Sequence, residues 1–262
     1  MKALWLDDRK MSYRTDLPMP VLEADEVLIK VLLAGICSTD LEMLRGYYAF
    51  SGIPGHEFVG EVVDANGHEE WLGKRVIGDI NISCGECERC LHQEPSQCAH
   101  RRTLGIFNYN GVFAEYLKLP VKNLTVVPGS VSDVLAVFAE PTAAALRILD
   151  QVQVRPSDRV ILVGAGRLGL LIAQVLKNSG CDLKVVVRRA ETASILESLG
   201  IRAVYSDEVK GELSDIVVEA TGSPEGFELS RSLTRARGTL VLKSTFAGDV
   251  SMNLSKLVVD EI

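Results

Sequence analysis

The chain has 262 residues, 47% of them hydrophobic and 24% charged, enough for one large folded core or two smaller ones. Its net charge of −7, with Lys and Arg scattered along it, excludes an electrostatic footprint for phosphate backbones or anionic lipid. Neither nucleic acid nor a membrane is therefore expected as a partner. The opening "MKALWLDDRK" lacks the basic-then-apolar order of a secretory signal. A cytoplasmic setting is expected, where thiols stay reduced and a disulfide framework is not the natural use of cysteine.

In chain order, "EVLIKVLLAG" (26–35) predicts a strand, and "GICSTDLEMLRGYY" (35–48) follows it with Cys37. "GIPGHEFVGEVV" (52–63) carries His56, and "KRVIGDINI" (74–82) predicts further short strands. Cys84, Cys87, Cys90 and Cys98 then follow the spacing C-x2-C-x2-C-x7-C. Four closely spaced thiolates suit one tetrahedral zinc, and a site with four protein ligands leaves no position for water or substrate, so its role is structural. Read instead as a redox pair, Cys84 and Cys87 would leave their two neighbours without a part. "VFAEPTAAALRIL" (137–149) adds Glu140. Cys37, His56 and Glu140 are each plausible ligands of a second, catalytic zinc with one open position, although spacing alone does not show that they meet. Singly, they also read as a small buried thiol, a hydrogen-bonded imidazole and a surface charge.

From residue 158 the pattern changes. An apolar run, Val160 to Val163, leads into Gly164-x-Gly166-x-x-Gly169 and then a helical stretch ending near Gly180. The glycines allow a tight turn, close approach of a pyrophosphate and close helix–sheet packing. Interrupted by these residues, the longest apolar stretch reads as strand then helix rather than a membrane span. "LKVVV" (183–187), "DIVVEA" (215–220) and "GTLVLKS" (238–244) continue at the spacing of a parallel sheet covered on both faces. Where sites for NAD usually carry an acidic residue, this chain has Arg188 and Arg189, which could grip a 2′-phosphate or be solvated surface charges. NADP(H) is favoured over NAD(H). The cofactor-binding set is completed by Leu168 inside the fingerprint and Thr221 just beyond the "DIVVEA" strand.

"GHEFVGEVV" (55–63), followed by the four-cysteine lobe and then the glycine fingerprint, resembles the zinc-dependent medium-chain dehydrogenase/reductase superfamily, the family of alcohol, sorbitol and threonine dehydrogenases. The likeness extends over nearly all of the chain. It implies an α/β plus β architecture: residues 1–145 as a GroES-like β-barrel catalytic domain with a structural zinc lobe at 84–98, and residues 146–262 as a Rossmann doubly wound parallel sheet, incomplete at its C-terminal end. It implies Cys37 and His56 as catalytic zinc ligands, with Glu140 as the third, as in the sorbitol dehydrogenase-like branch. Glu57 would approach the metal and exchange with water, Asp40 would orient the ligand histidine, and Thr39 would touch the substrate oxygen and begin a proton relay. Cys84, Cys87, Cys90 and Cys98 match the structural lobe.

The implied activity is hydride transfer between the CH–OH of an alcohol or polyol and NAD(P), with two zinc ions per chain. Tyr47, Tyr48, Phe50 and Phe107 are expected to line the substrate pocket, and the relatives' pattern implies a homo-oligomer for a chain of the relatives' full length. Two departures stand out. Glu42 occupies a place where many relatives have a histidine, so the proton would leave by another route or through Glu42. The sequence also ends at "LVVDEI" where relatives continue. Two rival readings remain: a zinc-independent quinone or enoyl reductase of the same superfamily, and a non-catalytic zinc protein that senses NADP(H).

Overall fold

The computed structural model describes residues 1–245 and 254–262. The chain divides into two compact units, Met1–Glu140 and Pro141–Ile262. Among the described residues no helix is long and apolar enough to cross a membrane.

The first unit contains β1 (Ala3–Asp7), β2 (Lys10–Arg14), β3 (Glu26–Gly35), α1 (Ser38–Leu44), β4 (Glu57–Asp64), β5 (Arg75–Gly78) and β6 (Asn81–Ile82). It continues with α2 (Glu88–Leu91), β7 (Arg102–Thr103), β8 (Tyr116–Pro120), β9 (Leu124–Val126) and α3 (Asp133–Ala136). Five of these strands form a half-barrel sheet in the order β8-β3-β4-β5-β9, every pair antiparallel. The long β3 is its organising strand because Val27 and Ile29 alternate inward and meet Phe58, Val62, Val76, Leu117 and Leu119, all fully buried or nearly so. The β1–β2 hairpin is tied on by bridges from Ala3 to Ala114 and from Leu6 to Gly52. The short strands expected at 74–82 are β5 and β6, separated where Asp79 turns the chain and accepts the Asn81 N–H at 2.8 Å.

The helix α4 (Ala139–Gln151) begins in the first unit's last residues and carries Pro141 in its first turn. The second unit then runs β10 (Arg159–Val163), α5 (Arg167–Lys177), β11 (Asp182–Val186), α6 (Ala190–Ser198), β12 (Arg202–Val204), β13 (Ser214–Glu219), α7 (Pro224–Leu233), β14 (Thr234–Leu242) and α8 (Leu254–Val259). The sheet order is β12-β11-β10-β13-β14, all parallel.

Strand alternation explains why helices cover both faces. Val160, Leu162, Val185, Ile216 and Val218 pack with Ile172 and Leu176 of α5, whereas Ile161, Val163, Val186 and Val217 pack on the other side with Leu233 of α7. At roughly 25 cal/mol per Å² of apolar area removed from water, these two layers are the main stabilising term of the unit. The short β12 was not legible in sequence, since Arg202, Ala203 and Val204 lack the apolar run of the other strands.

Candidate active site and metal centres

The end of β3 and the start of β4 lie side by side, with Gly35 paired to Glu57. After Gly35 the chain enters α1, where Cys37 is extended at the helix start and Asp40 turns back to accept its N–H at 2.9 Å. This local device brings Cys37, Thr39 and Asp40 to one end of the helix. The Cys37 thiol lies 3.6 Å from the Thr39 hydroxyl. His56, just before β4, and Glu57, its first residue, complete the group: the ligand atoms of Cys37, His56 and Glu57 all lie within 4.8 Å of one another. Asp40 Oδ1 stands 3.6 Å from His56 Nδ1, with both side chains 3% exposed.

Burial pushes the Cys37 thiol above its ordinary range, and the Glu57 and Asp40 carboxylates push the same way against hydrogen bonds from Thr39. Burial holds His56 down to about 4, so at neutral pH the imidazole is uncharged and one ring nitrogen keeps a lone pair. A neutral imidazole, a carboxylate and a thiol whose charge lacks a compensating cation form a mixed N, O and S donor set. Zinc fits that set, because it supplies the cation the thiolate needs. Glu140 stands outside this group, in the first turn of α4. Glu42 pairs with the exposed Arg45 at 2.6 Å, its own side chain only 13% exposed. Of the aromatic residues, Tyr47 and Tyr48 meet edge to face with centroids 4.6 Å apart, and Tyr48 lies 6.4 Å from Phe107.

The four remaining cysteines of the first unit converge, with all four sulfurs within 4.8 Å of one another and no disulfide among them. A tetrahedral ion with sulfur bonds of about 2.3 Å requires sulfur–sulfur edges of about 3.8 Å. The observed edges are 4.0 Å for Cys84–Cys90, 3.5 Å for Cys87–Cys90, 3.8 Å for Cys87–Cys98 and 3.5 Å for Cys98–Cys84. Backbone N–H groups of Cys84 and His100 point at the Cys98 sulfur, and that of Cys87 at the Cys84 sulfur. Such donors favour thiolates: the N–H groups of Cys90 and Ala99 pull Cys87 down to about 6, while burial and the neighbouring thiols raise Cys90 to about 11. Four thiols sharing so little charge without a cation fit a closed zinc site. At its entry Gly85 has a φ of +84°, which only glycine adopts readily.

In the second unit the fingerprint follows β10 and opens α5. Gly164 has a φ of +103°, and a methyl there would stand 2.7 Å from the Ala220 carbonyl oxygen. A methyl on Gly169 would stand 2.2 Å from the Gly164 carbonyl oxygen, so that glycine sets the close approach of helix to turn. A methyl on Gly166 would meet nothing within 4 Å. The helix start is therefore open on the side where N–H groups await an anion, which fits a dinucleotide pyrophosphate. Leu168 lies within the first turn of α5, and Thr221 follows β13. Arg188 and Arg189 are both exposed, just beyond β11 and at the start of α6.

Sequence reasoning passed over Gly35, whose signal lies only in the fold, and Glu219, a carboxylate in an otherwise apolar strand that could have been noticed.

Two family models match this chain: Alcohol dehydrogenase GroES-like domain over residues 23–129 and Zinc-binding dehydrogenase over residues 168–262. D-arabinitol dehydrogenase 1 of Uromyces fabae is 31% identical over 271 residues, 93% of this chain and 75% of the relative. A zinc-binding dehydrogenase of Sinorhizobium meliloti 1021 bound to NADP superimposes with a TM-score of 0.87 at 29% identity, over 99% of this chain and 82% of that one. The rspB alcohol dehydrogenase of Escherichia coli CFT073 complexed with NADH gives a TM-score of 0.89 at 28% identity, over 100% and 81%. The expected architecture of a GroES-like unit followed by a Rossmann-type parallel sheet is thus present, and the chain belongs to the zinc-type medium-chain dehydrogenases, oxidoreductases of alcohols and polyols.

Proposed function

We propose that this chain oxidises the CH–OH group of a small alcohol or polyol, or reduces the matching carbonyl, with two zinc ions and NADP(H) in preference to NAD(H). The observation that carries the reading is the convergence of Cys37, His56 and Glu57 beside Thr39 and Asp40. Cys37 and His56 would hold the catalytic zinc, with Glu57 or Glu140 completing the set; Cys84, Cys87, Cys90 and Cys98 would hold the structural one. When bound, zinc supplies Lewis-acid polarisation of a substrate oxygen, and the nicotinamide supplies the hydride acceptor or donor.

The chain's own residues do the rest. Asp40 fixes the Cys37 backbone and sets a carboxylate oxygen 3.6 Å from His56 Nδ1, so the thiol is preset rather than ordered by substrate. Thr39 offers a hydroxyl beside the thiol that can take the substrate's proton and pass it outward. The Tyr47, Tyr48 and Phe107 rings offer an apolar wall for the carbon skeleton. Arg188 and Arg189, with no carboxylate at their position, support a 2′-phosphate over a free 2′-hydroxyl.

Metal analysis joined to nicotinamide fluorescence titration tests this reading. Two zinc ions per chain and tighter NADPH than NADH are expected. A metal-free chain with full reductase activity would move it to the zinc-independent branch, and tighter NADH would return the two arginines to the surface. Cofactor binding without turnover of any alcohol or polyol would leave a sensor.

A further inference from the structure

β13 ends on a carboxylate that its Ile-Val-Val run does not foretell. Glu219 is 4% exposed and is paired with Val163, the last residue before the glycine turn, on one side and with Leu242 on the other. Its Oε1 accepts three hydrogen bonds from the segment that follows: the Thr221 N–H at 2.6 Å, the Thr221 hydroxyl at 2.6 Å and the Gly222 N–H at 3.2 Å. Its Oε2 accepts the hydroxyl of Ser244, just beyond β14. All four donors are neutral. The buried charge is therefore held by oriented dipoles, and each of these bonds is stronger than its neutral counterpart.

One side chain thus fixes two segments at the C-terminal edge of the parallel sheet, the edge at which open α/β sheets take their ligands. The segment it holds is also the wall on which the glycine turn rests. A methyl on Gly164 would stand 2.9 Å from Thr221 Cγ2, and a methyl on Gly226 would stand 1.8 Å from Thr221 Oγ1. Thr221 lies between Gly164 and Gly226, and its hydroxyl donates to Glu219 and accepts the Ser223 N–H at 3.2 Å.

We infer that Glu219 is a positioning residue for the dinucleotide: its carboxylate presets residues 220–222 against the glycine turn, so that the cofactor meets a formed wall instead of ordering one on arrival. This rests on the reading of that edge as a dinucleotide site. Presetting the segment removes an ordering cost from binding, and losing it weakens cofactor affinity while the substrate-facing residues of the first unit stay as they were.

Glu219→Gln keeps the size and one acceptor oxygen but removes the charge; Ser244→Ala keeps the charge and removes one donor. NADPH and NADH are titrated by nicotinamide fluorescence, wild type first, and amide hydrogen exchange is followed with and without cofactor. Expected for Glu219→Gln is a dissociation constant raised on the order of tenfold, equivalent to about 1.4 kcal/mol. Ser244→Ala should show a smaller rise. In the cofactor-free variant, exchange should quicken at residues 220–222 while β10 and β11 keep their protection, and saturating cofactor should erase the difference. An unchanged dissociation constant overturns the inference. So does exchange quickened across the whole sheet, the result of a carboxylate that only stabilises the fold. A wild-type chain that binds neither cofactor removes the dinucleotide reading and this inference with it, which the first titration distinguishes from a failure of Glu219 alone.

Discussion

Gly35 faces Glu57 across the β3–β4 pair with no room for a side chain: a methyl on Gly35 would stand 2.3 Å from Glu57 Oε2 and 3.0 Å from its Cβ. The glutamate beside His56 thus owes its place to an absent Cβ on the neighbouring strand. Gly35→Ala should push the Glu57 carboxylate out of the group it forms with Cys37 and His56. A misplacement of this size near the chemistry should lower kcat/KM on the order of 100-fold. The four-cysteine lobe should keep its metal. Steady-state kinetics with metal analysis checks this, and wild-type activity in Gly35→Ala would show that Glu57 has no fixed part.

Asp40 uses both oxygens, Oδ2 for the Cys37 N–H and Oδ1 toward His56 Nδ1. Asn is uncharged and has one acceptor oxygen only, so Asp40→Asn either loses the Cys37 N–H or turns an amide group towards His56 in place of a carboxylate oxygen. Loss of such an outer partner typically costs about 10–100-fold in metal affinity or activity. Zinc retention after dialysis against a graded chelator series should fall accordingly. Retention equal to wild type would separate Asp40 from the metal site.

How far the sequence reaches is visible in these same residues. The parallel sheet was readable because Val160–Val163 and Ile216–Val218 are apolar at every position, and only a strand covered on both faces needs that. The convergence of the four cysteines was readable because they are local in sequence. The approach of Cys37 to His56 was not, since antiparallel pairing of β3 with β4 creates it, and that register is set by non-local packing. The grouping of Glu57 rather than Glu140 with those two residues follows from the same pairing. The Gly35 clearance was invisible for that reason too, being a relation between strands, whereas Glu219 is held by Thr221 and Gly222 just after it and across the sheet only by Ser244.

The lobe should depend on its metal more than any other part of the first unit. Its helices are the short Glu88–Leu91 and a 3-10 turn at Pro95–Gln97, and it contributes little to the apolar core around Val27 and Ile29. Its sulfurs are already at tetrahedral spacing, so metal removal leaves thiols in mutual repulsion once they ionise. Cys87→Ser should halve the zinc content and open residues 84–98 to limited proteolysis, while β3, β4 and β8 stay protected. A Cys87→Ser chain with full zinc and an uncut lobe would remove the structural reading.

Acid should attack the first unit at Glu26. Its side chain is fully buried and accepts the Tyr109 hydroxyl at 2.6 Å, the Lys118 ammonium at 2.6 Å and the Glu23 N–H at 3.0 Å. Burial alone would raise its pKa, but these three donors together outweigh burial and hold it below the ordinary carboxylate value of 4.5. A group whose pKa is lower in the folded state stabilises the fold at pH values above its unfolded pKa. That contribution disappears as pH falls through the folded value. The unfolding midpoint should therefore be flat near neutrality and drop once pH passes below about 4.5. Glu26→Gln removes the titrating group, so the variant should be less stable at pH 7, by about 2 kcal/mol for the lost charge-assisted bonds, and its midpoint should vary less with acid. Thermal unfolding of both proteins from pH 7 to pH 3 measures the two slopes. Parallel curves would mean that other carboxylates set the acid sensitivity, and that Glu26 with Tyr109 and Lys118 stabilises the sheet by packing alone.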